Sequence, residues 1–557
     1  MLHNLLRLFL RAFLWGSEVI ARLCGRRKAY NTLHLDLSGS LPEEPGSSLA
    51  ALWRRTPELD FLTLTSLLRW AREDKNLQAV LLTIADLEAG WARLQGVRRS
   101  LLALRQAGKQ VWVHLTEGDT REYYLASAAD TVMLVPAGHL AITGLAAETL
   151  FFKEALDKLG VQAQVQQAGQ YKAAGEPFTR QSMSAPHREM LDSLLDDLYD
   201  QVIGDIANAR HKSKAEVQQL IDQGLFLARE ALTAGLVDHV VYEDEVPQLL
   251  EAKIGPIKLI EAGAYRRRRA RALRRDLLSH EPRKIAWVTV GGAIKRGETL
   301  DGPEGPRAVG SRSFARTLKR AREDSRVAAV VLRVASPGGS GAASDLMWRE
   351  LVRTRESKPV IVSMGDVAAS GGYYLALAGD KVFAEEGTIT GSIGVIAGKA
   401  VLRDLYTSLG VGKEILTRGQ RAALFSDYVA FAPSEHERLA FEVQAFYQDF
   451  IEKVARCRSL TAEAVESSAQ GRVWSGRQAW TRGLVDAMGG IEEALAEAKL
   501  RAGFPAERPV VVERFPKPPS FWRLSSLTRL VPRAQMTPWW WTRERVWAIL
   551  PFSLRFL

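Results

Sequence analysis

Cysteine is nearly missing: the 557 residues contain two, Cys24 and Cys457. Two isolated cysteines allow neither a disulfide framework nor a zinc ligand set, so both read as packing residues and no metal centre is expected. Long apolar runs are missing as well. A membrane-spanning helix needs about 20 nearly uninterrupted apolar residues. Arg7, Arg11, Glu18 and Arg22 interrupt the apolar segment at the front, and Arg523, Arg529, Arg543 and Arg545 interrupt the one at the back. Near Met1 the longest charge-free apolar run is short, and no small-residue cleavage site follows it, so a secretory signal peptide is not expected.

What is present describes a large folded protein. An apolar fraction of 46% with 25% charged residues excludes disorder, and the length implies two to four domains. The net charge of +11 is carried by the two ends. Residues 1–28 hold six Lys/Arg against one Glu, a net of +5, and residues 511–557 hold eight against two acids, a net of +6. Both ends mix these charges with Leu, Phe and Trp, as in "TPWWWTRERVWAILPFSLRFL". Residues 1–28 and 506–557 therefore read as amphipathic segments for an anionic membrane surface, with terminal helices packed on the protein's own core as the alternative.

Between the ends the chain repeats itself. "EYYLASAADTVML" at 122–134 matches "GYYLALAGDKVFA" at 372–384, and "LDKLGVQAQVQQAGQ" at 156–170 matches "YTSLGVGKEILTRGQ" at 406–420. "AREALTAGLVD" at 228–238 matches the stretch ending in "GLVD" at Asp486. Two copies of one fold are expected, at 29–255 and 284–505, joined by an arginine-rich linker at 256–283. Its "YRRRRARALRR" reads as a solvated face or a further contact for anionic lipid. Nucleic acid is not expected as a partner, because no aromatic-interleaved or groove-reading element accompanies the run.

Each copy alternates apolar, strand-like runs with helical stretches, the pattern of an α/β domain. In the second copy 284–294, 327–336 and 359–365 read as strands, "SFARTLKRARED" and the stretch through "SDLMWRELVRTRE" as helices, and "PGGSGAA" at 337–343 as a turn. Ser370 falls in the turn after the third strand. Two roles are open to it: the N-cap of the helix begun by "GGYYLALAG", or a nucleophile at the positive end of that helix. Gly338, Gly339 and Gly371 are the candidate oxyanion donors, since glycine lets a substrate approach the backbone closely.

A serine nucleophile needs a base. No histidine occurs from Gly371 to Glu435, and His436 belongs to a polar helical face, which leaves His114 and His139 to be brought in by the fold. Lysine serves equally if burial lowers its pKa. The two copies differ at both positions of interest. Opposite "AASGG" the first copy has "EGDTRE", without the serine, while Lys172 of "AGQYKAAGEPF" lies opposite Ala422. The serine survives in one copy and the lysine in the other.

"SPGGS" at 336–340, "MGDVAASGGYY", "TITGSIGV" and "GQYKAAGEPFTRQSMS" together resemble the signal peptide peptidase A family in its long, tandem-domain form, over about residues 30–500. The resemblance implies two tandem ClpP/crotonase-like α/β domains, Ser370 as nucleophile, Lys172 as general base and Ser392 as a residue that helps to hold the lysine. It also implies hydrophobic peptide substrates, a homo-oligomer (a tetramer in the family), no cofactor, and a place at the bacterial inner membrane. Long-form members begin with a transmembrane helix and this chain has only the charged segment 1–28, which leaves the membrane side open. A crotonase-like acyl-CoA enzyme and a non-catalytic membrane scaffold are the rival functions; neither needs the serine and lysine together.

Overall fold

The computed structural model describes residues 30–44, 59–277, 283–302, 305–505, 510–516 and 547–549. Residues 1–28, and the tail apart from its two short strands, lie outside the described residues. The chain forms two compact units. They differ from the two repeats at two places: Phe504–Val511, at the end of the second repeat, belongs to the first unit, and a longer segment crosses the other way. Leu145–Leu198, which belongs to the first repeat in sequence, belongs to the second unit in space.

The first unit is built on a six-stranded sheet in the order Leu259–Glu261, Thr32–Ser40, Ala79–Glu88, Gln110–Leu115, Thr131–Leu134, His239–Val240, with every neighbouring pair parallel. Parallel strands are covered on both faces and so read as continuous apolar runs, and "AVLLTI" within Ala79–Glu88 is buried almost throughout. Crossover helices Phe61–Glu73 and Trp91–Gln106 return the chain between successive strands. The arginine run of the expected linker lies on helix Ala262–Leu277. Tyr265 anchors that helix, fully buried, with its hydroxyl donating to Asp74, which also accepts from the Tyr30 hydroxyl.

In the second unit an eight-stranded sheet orders Val473–Ser475, Ile389–Gly391, Val360–Ala369, Val327–Ser336, Lys284–Gly291 and Val511–Phe515, with Lys381–Ala384 and Ala487–Met488 alongside. Beside it is a seven-stranded sheet in the order Leu300–Gly302, Gly305–Gly310, Ala293–Lys295, Gly338–Ser340, Trp547–Ile549, Val395–Val401, Gln162–Ala168. The last of these strands comes from the first repeat and pairs with Val395–Val401 over seven residues, from Val395↔Ala168 to Val401↔Gln162.

The expected strand at 327–336 and helix at 313–324 are found at Val327–Ser336 and Ser311–Glu323. Two details differ. The expected turn at 337–343 contains the strand Gly338–Ser340, because Gly339 lies so close to its neighbour that a Cβ there would be 2.1 Å from the Ile294 carbonyl oxygen. The basic tail contributes a strand, Val511–Phe515, to the eight-stranded sheet, with Phe515 buried in the core. No helix among the described residues is long and apolar enough to cross a membrane.

Candidate active site

Strand Val360–Ala369 ends immediately before Ser370, and helix Gly371–Ala376 begins immediately after it. Ser370 has φ 55° and ψ −114°, and its side chain makes no capping hydrogen bond to the helix. A non-glycine residue at positive φ costs of order 1–3 kcal/mol and persists only where its surroundings impose it. Here the Ser370 N–H donates to the Gly391 carbonyl at 2.8 Å and its carbonyl accepts from Tyr374 at 2.8 Å. The corresponding turn of the first repeat is ordinary: Asp119 sits at φ −86° and caps helix Thr120–Ala126 through its carboxylate, with Glu122 closing the capping box. The cap role thus belongs to the first copy, and the Ser370 hydroxyl is turned elsewhere.

It is turned to Lys172. The amine Nζ lies 2.8 Å from Ser370 Oγ, 2.9 Å from Ser392 Oγ and 3.0 Å from the Ser392 carbonyl oxygen. Lys172 is fully buried, as are both serines. Burial penalises the ammonium form and pushes the Lys172 pKa well below its usual value. A neutral amine has two N–H donors and one lone pair, which suits these three contacts: it donates to the two Ser392 oxygens and accepts from the Ser370 hydroxyl. In that protonation state the lone pair points at the proton that a base must remove.

The supports of this cluster come from distant parts of the sequence. Ser392 also sits at positive φ, 52°, with its N–H bonded to the Arg472 carbonyl at 2.7 Å. Gly471 donates to the Ile393 carbonyl, and the Gln470 carbonyl accepts from Tyr171 at 2.8 Å. Residues 470–472 therefore clamp the Ser392 turn and the Lys172 turn together. Gly471, at φ 78°, is packed so closely that a Cβ would lie 2.6 Å from the Lys172 nitrogen. Arg472 continues the clamp, pairing with Glu189 at 2.6 Å and lying over the Tyr171 and Trp474 rings.

Of the candidate oxyanion glycines, Gly371 follows Ser370 directly, and Gly338 and Gly339 lie on a strand that is near helix Gly371–Ala376. Gly371 opens the helix, and Gly372 packs against the Ser336 carbonyl, where a Cβ would come within 2.6 Å. The Gly338 N–H donates to Ser336 Oγ at 3.1 Å, and Ser336 Oγ donates in turn to the Gly292 carbonyl. Ala422, opposite Lys172 in the repeat, is exposed in a turn. The histidines considered as bases are placed in the first unit: His114 beside the Val241 carbonyl, His139 beside Glu117. Sequence reasoning missed a third, His187, buried against Glu176 at 2.9 Å. Glu176 follows directly on the 3-10 turn that carries Lys172 and also accepts from Ser184, so the pair fixes the entry to the lysine loop. Its only signal in the sequence is a Glu and a His eleven residues apart.

Residues 103–255 and 353–504 match Peptidase family S49, one region in each repeat and together more than half of the chain. The chain belongs to Peptidase family S49. Its class is accordingly that of a serine protease. This family member is 34% identical to the chloroplastic serine protease SPPA of Arabidopsis thaliana, over 80% of this chain and 66% of that protein. It is 31% identical to Protease 4 of Salmonella typhi over 84% of this chain and 78% of that one, and 32% identical to Protease 4 of Haemophilus influenzae over 77% and 71%. Among solved structures it resembles a membrane-bound stomatin-specific protease (TM-score 0.27, 14% identity, 42% of this chain and 98% of that one). It also resembles ClpP1 of Listeria monocytogenes (TM-score 0.25, 14% identity, 38% and 94%). The two S49 regions and the parallel α/β sheets carry the expected fold class.

Proposed function

We propose that the protein is a membrane-associated endopeptidase that degrades cleaved signal peptides and other short hydrophobic peptides through a Ser370–Lys172 dyad. The observation that carries the reading is the 2.8 Å approach of a fully buried amine to a serine hydroxyl held at positive φ. Lys172 takes the proton as Ser370 Oγ attacks the peptide carbonyl, and returns it to the leaving amine; water then hydrolyses the acyl-enzyme by the same route. Ser392 holds the amine in line. The amides at Gly339 and Gly371 receive the negative charge that develops on the carbonyl oxygen, joined by that of Gly338 once it turns from Ser336 Oγ, to which it donates at 3.1 Å in this state.

The membrane part of the reading rests on the basic, apolar ends, and bacterial inner membrane is the assigned place, on either face. A homo-oligomer, by resemblance a tetramer, is part of the same proposal.

Replacing Ser370 by Ala, or Lys172 by Ala, tests the chemistry with an apolar fluorogenic peptide, circular dichroism serving as the check on folding. Lys172→Ala is expected to lose about 10²–10⁴-fold in kcat/KM, the usual contribution of a general base, and Ser370→Ala, which lacks the attacking oxygen, at least as much. A Lys172→Ala protein that keeps most of its activity would show the base to be another group. Turnover of an acyl-CoA thioester with no peptide cleavage would favour the crotonase-like rival instead.

A further inference from the structure

The backbone of Trp547–Ile549 lies between two strands of the seven-stranded sheet and runs antiparallel to both. On one side Gly338 pairs with Ile549, Gly339 with Ala548 and Ser340 with Trp547; on the other, Ile396 pairs with Trp547. Its Cα atoms also come within 8 Å of those of helix Gly371–Ala376, which starts at Ser370. The two flanking strands are parts of the catalytic surround. Gly338 and Gly339 are proposed oxyanion donors, and Val395–Val401 begins three residues after Ser392. In the sheet order nothing else stands between them. The slot is one strand wide, and the chain's own C-terminal segment fills it.

The site is closed in this state. Ser370, Lys172, Gly338 and Gly339 are all buried, so an incoming peptide reaches the hydroxyl only if something moves. Strand addition is held by main-chain hydrogen bonds, which accept many sequences, so an apolar peptide and the apolar stretch "RVWAILPF" would use the slot in the same way.

We propose that strand Trp547–Ile549 is an intramolecular competitor for the peptide slot, which a substrate must displace. The proposal rests on the peptidase reading for the identity of the displaced ligand. A tethered segment acts at an effective concentration in the millimolar range, so it suppresses weak peptides and yields to tight ones.

The test uses the full chain carrying Ser370→Ala, with and without Ala548→Pro, and a labelled synthetic peptide RVWAILPF as the probe. Proline at 548 removes an N–H from a strand paired on both sides. Peptide binding, read by fluorescence anisotropy, is expected to tighten about tenfold on adding Ala548→Pro, from the loss of a millimolar competitor. An unchanged thermal midpoint confirms that the fold is intact, and Trp547→Pro serves as the second variant. Probe methylated at the alanine nitrogen should bind poorly to both proteins, a result that does not depend on either variant's stability. Equal affinity in the presence and absence of Ala548→Pro would overturn the proposal. So would mass spectrometry showing that the Ser370-intact chain removes its own tail while the Ser370→Ala chain keeps it, because the segment would then be a substrate. Tenfold tighter binding without hydrolysis of any peptide by the Ser370-intact chain would sustain the competitor and remove the peptidase reading, so the two failures are distinguishable.

Discussion

Lys172 is buried with hydroxyls and a carbonyl as its partners, and burial alone is the cause of its lowered pKa. Two pH dependences follow from that single cause. With Lys172 as the proposed base, activity requires the neutral amine, so kcat/KM should climb with pH through the depressed Lys172 pKa and stay high into the alkaline range. A profile already at its maximum near pH 5 would sink the assignment. Stability behaves as follows. The folded pKa lies below the unfolded value of about 10.4, so between the two the unfolded chain binds one more proton, and stability rises with pH across that window. Below the folded pKa the full cost of burying the charge is present. Lys172→Met removes the cost, so the difference in Tm, variant minus parent, should be most positive at and below the folded pKa and fall as pH approaches 10. A difference that does not change with pH would mean that the amine is not desolvated.

At the scale of elements, the site is a meeting of three turns: one after Ala369, one after Gly391 and one before Ala173, with residues 470–472 holding the last two together. Gly471→Ala probes this clamp, because the new Cβ would press on the Lys172 backbone at a residue whose φ of 78° already disfavours a side chain. Misplacing a catalytic group by about 1 Å costs on the order of 10²-fold, so kcat should fall by about that factor while most of the fold survives in a thermal melt. Activity within twofold of the parent would show that the clamp does not set the position of the lysine. The clamp was invisible in the sequence: Gln470 bonds to the lysine turn from 300 residues away, and "AQGR" has no periodicity or motif to mark it. By contrast the strands Val327–Ser336 and Val360–Ala369 were legible, because a buried parallel strand is a continuous apolar run whatever it packs against. The exchange of serine and lysine between repeats was legible as well. What brings those two groups together, the inclusion of Leu145–Leu198 in the second unit, depends on pairings such as Val401↔Gln162 that no local pattern encodes.

At the scale of the whole molecule, the sequence gathers net positive charge and Leu, Phe and Trp residues at the two ends, and the membrane proposal depends on them. Val511–Phe515 is a strand of the core sheet, so a deletion that probes the tail must begin after Pro516. Residues 517–557 still hold seven Lys/Arg against one Glu, a net of +6, and with residues 1–28 at +5 they carry the chain's whole excess. Each cation near an anionic surface contributes about 1 kcal/mol before screening, and inserted Leu, Phe and Trp side chains add roughly 25 cal/mol per Å² of apolar area. The electrostatic share is screened by salt and the apolar share is not. The intact protein should therefore sediment with anionic liposomes, more weakly but still measurably at high salt, and poorly with neutral ones. Removing residues 1–28 and 517–557 should abolish sedimentation and leave peptide hydrolysis in solution. If the shortened chain still pellets with anionic liposomes as the intact chain does, the anchor lies elsewhere, and the arginines of helix Ala262–Leu277 become the surface to neutralise.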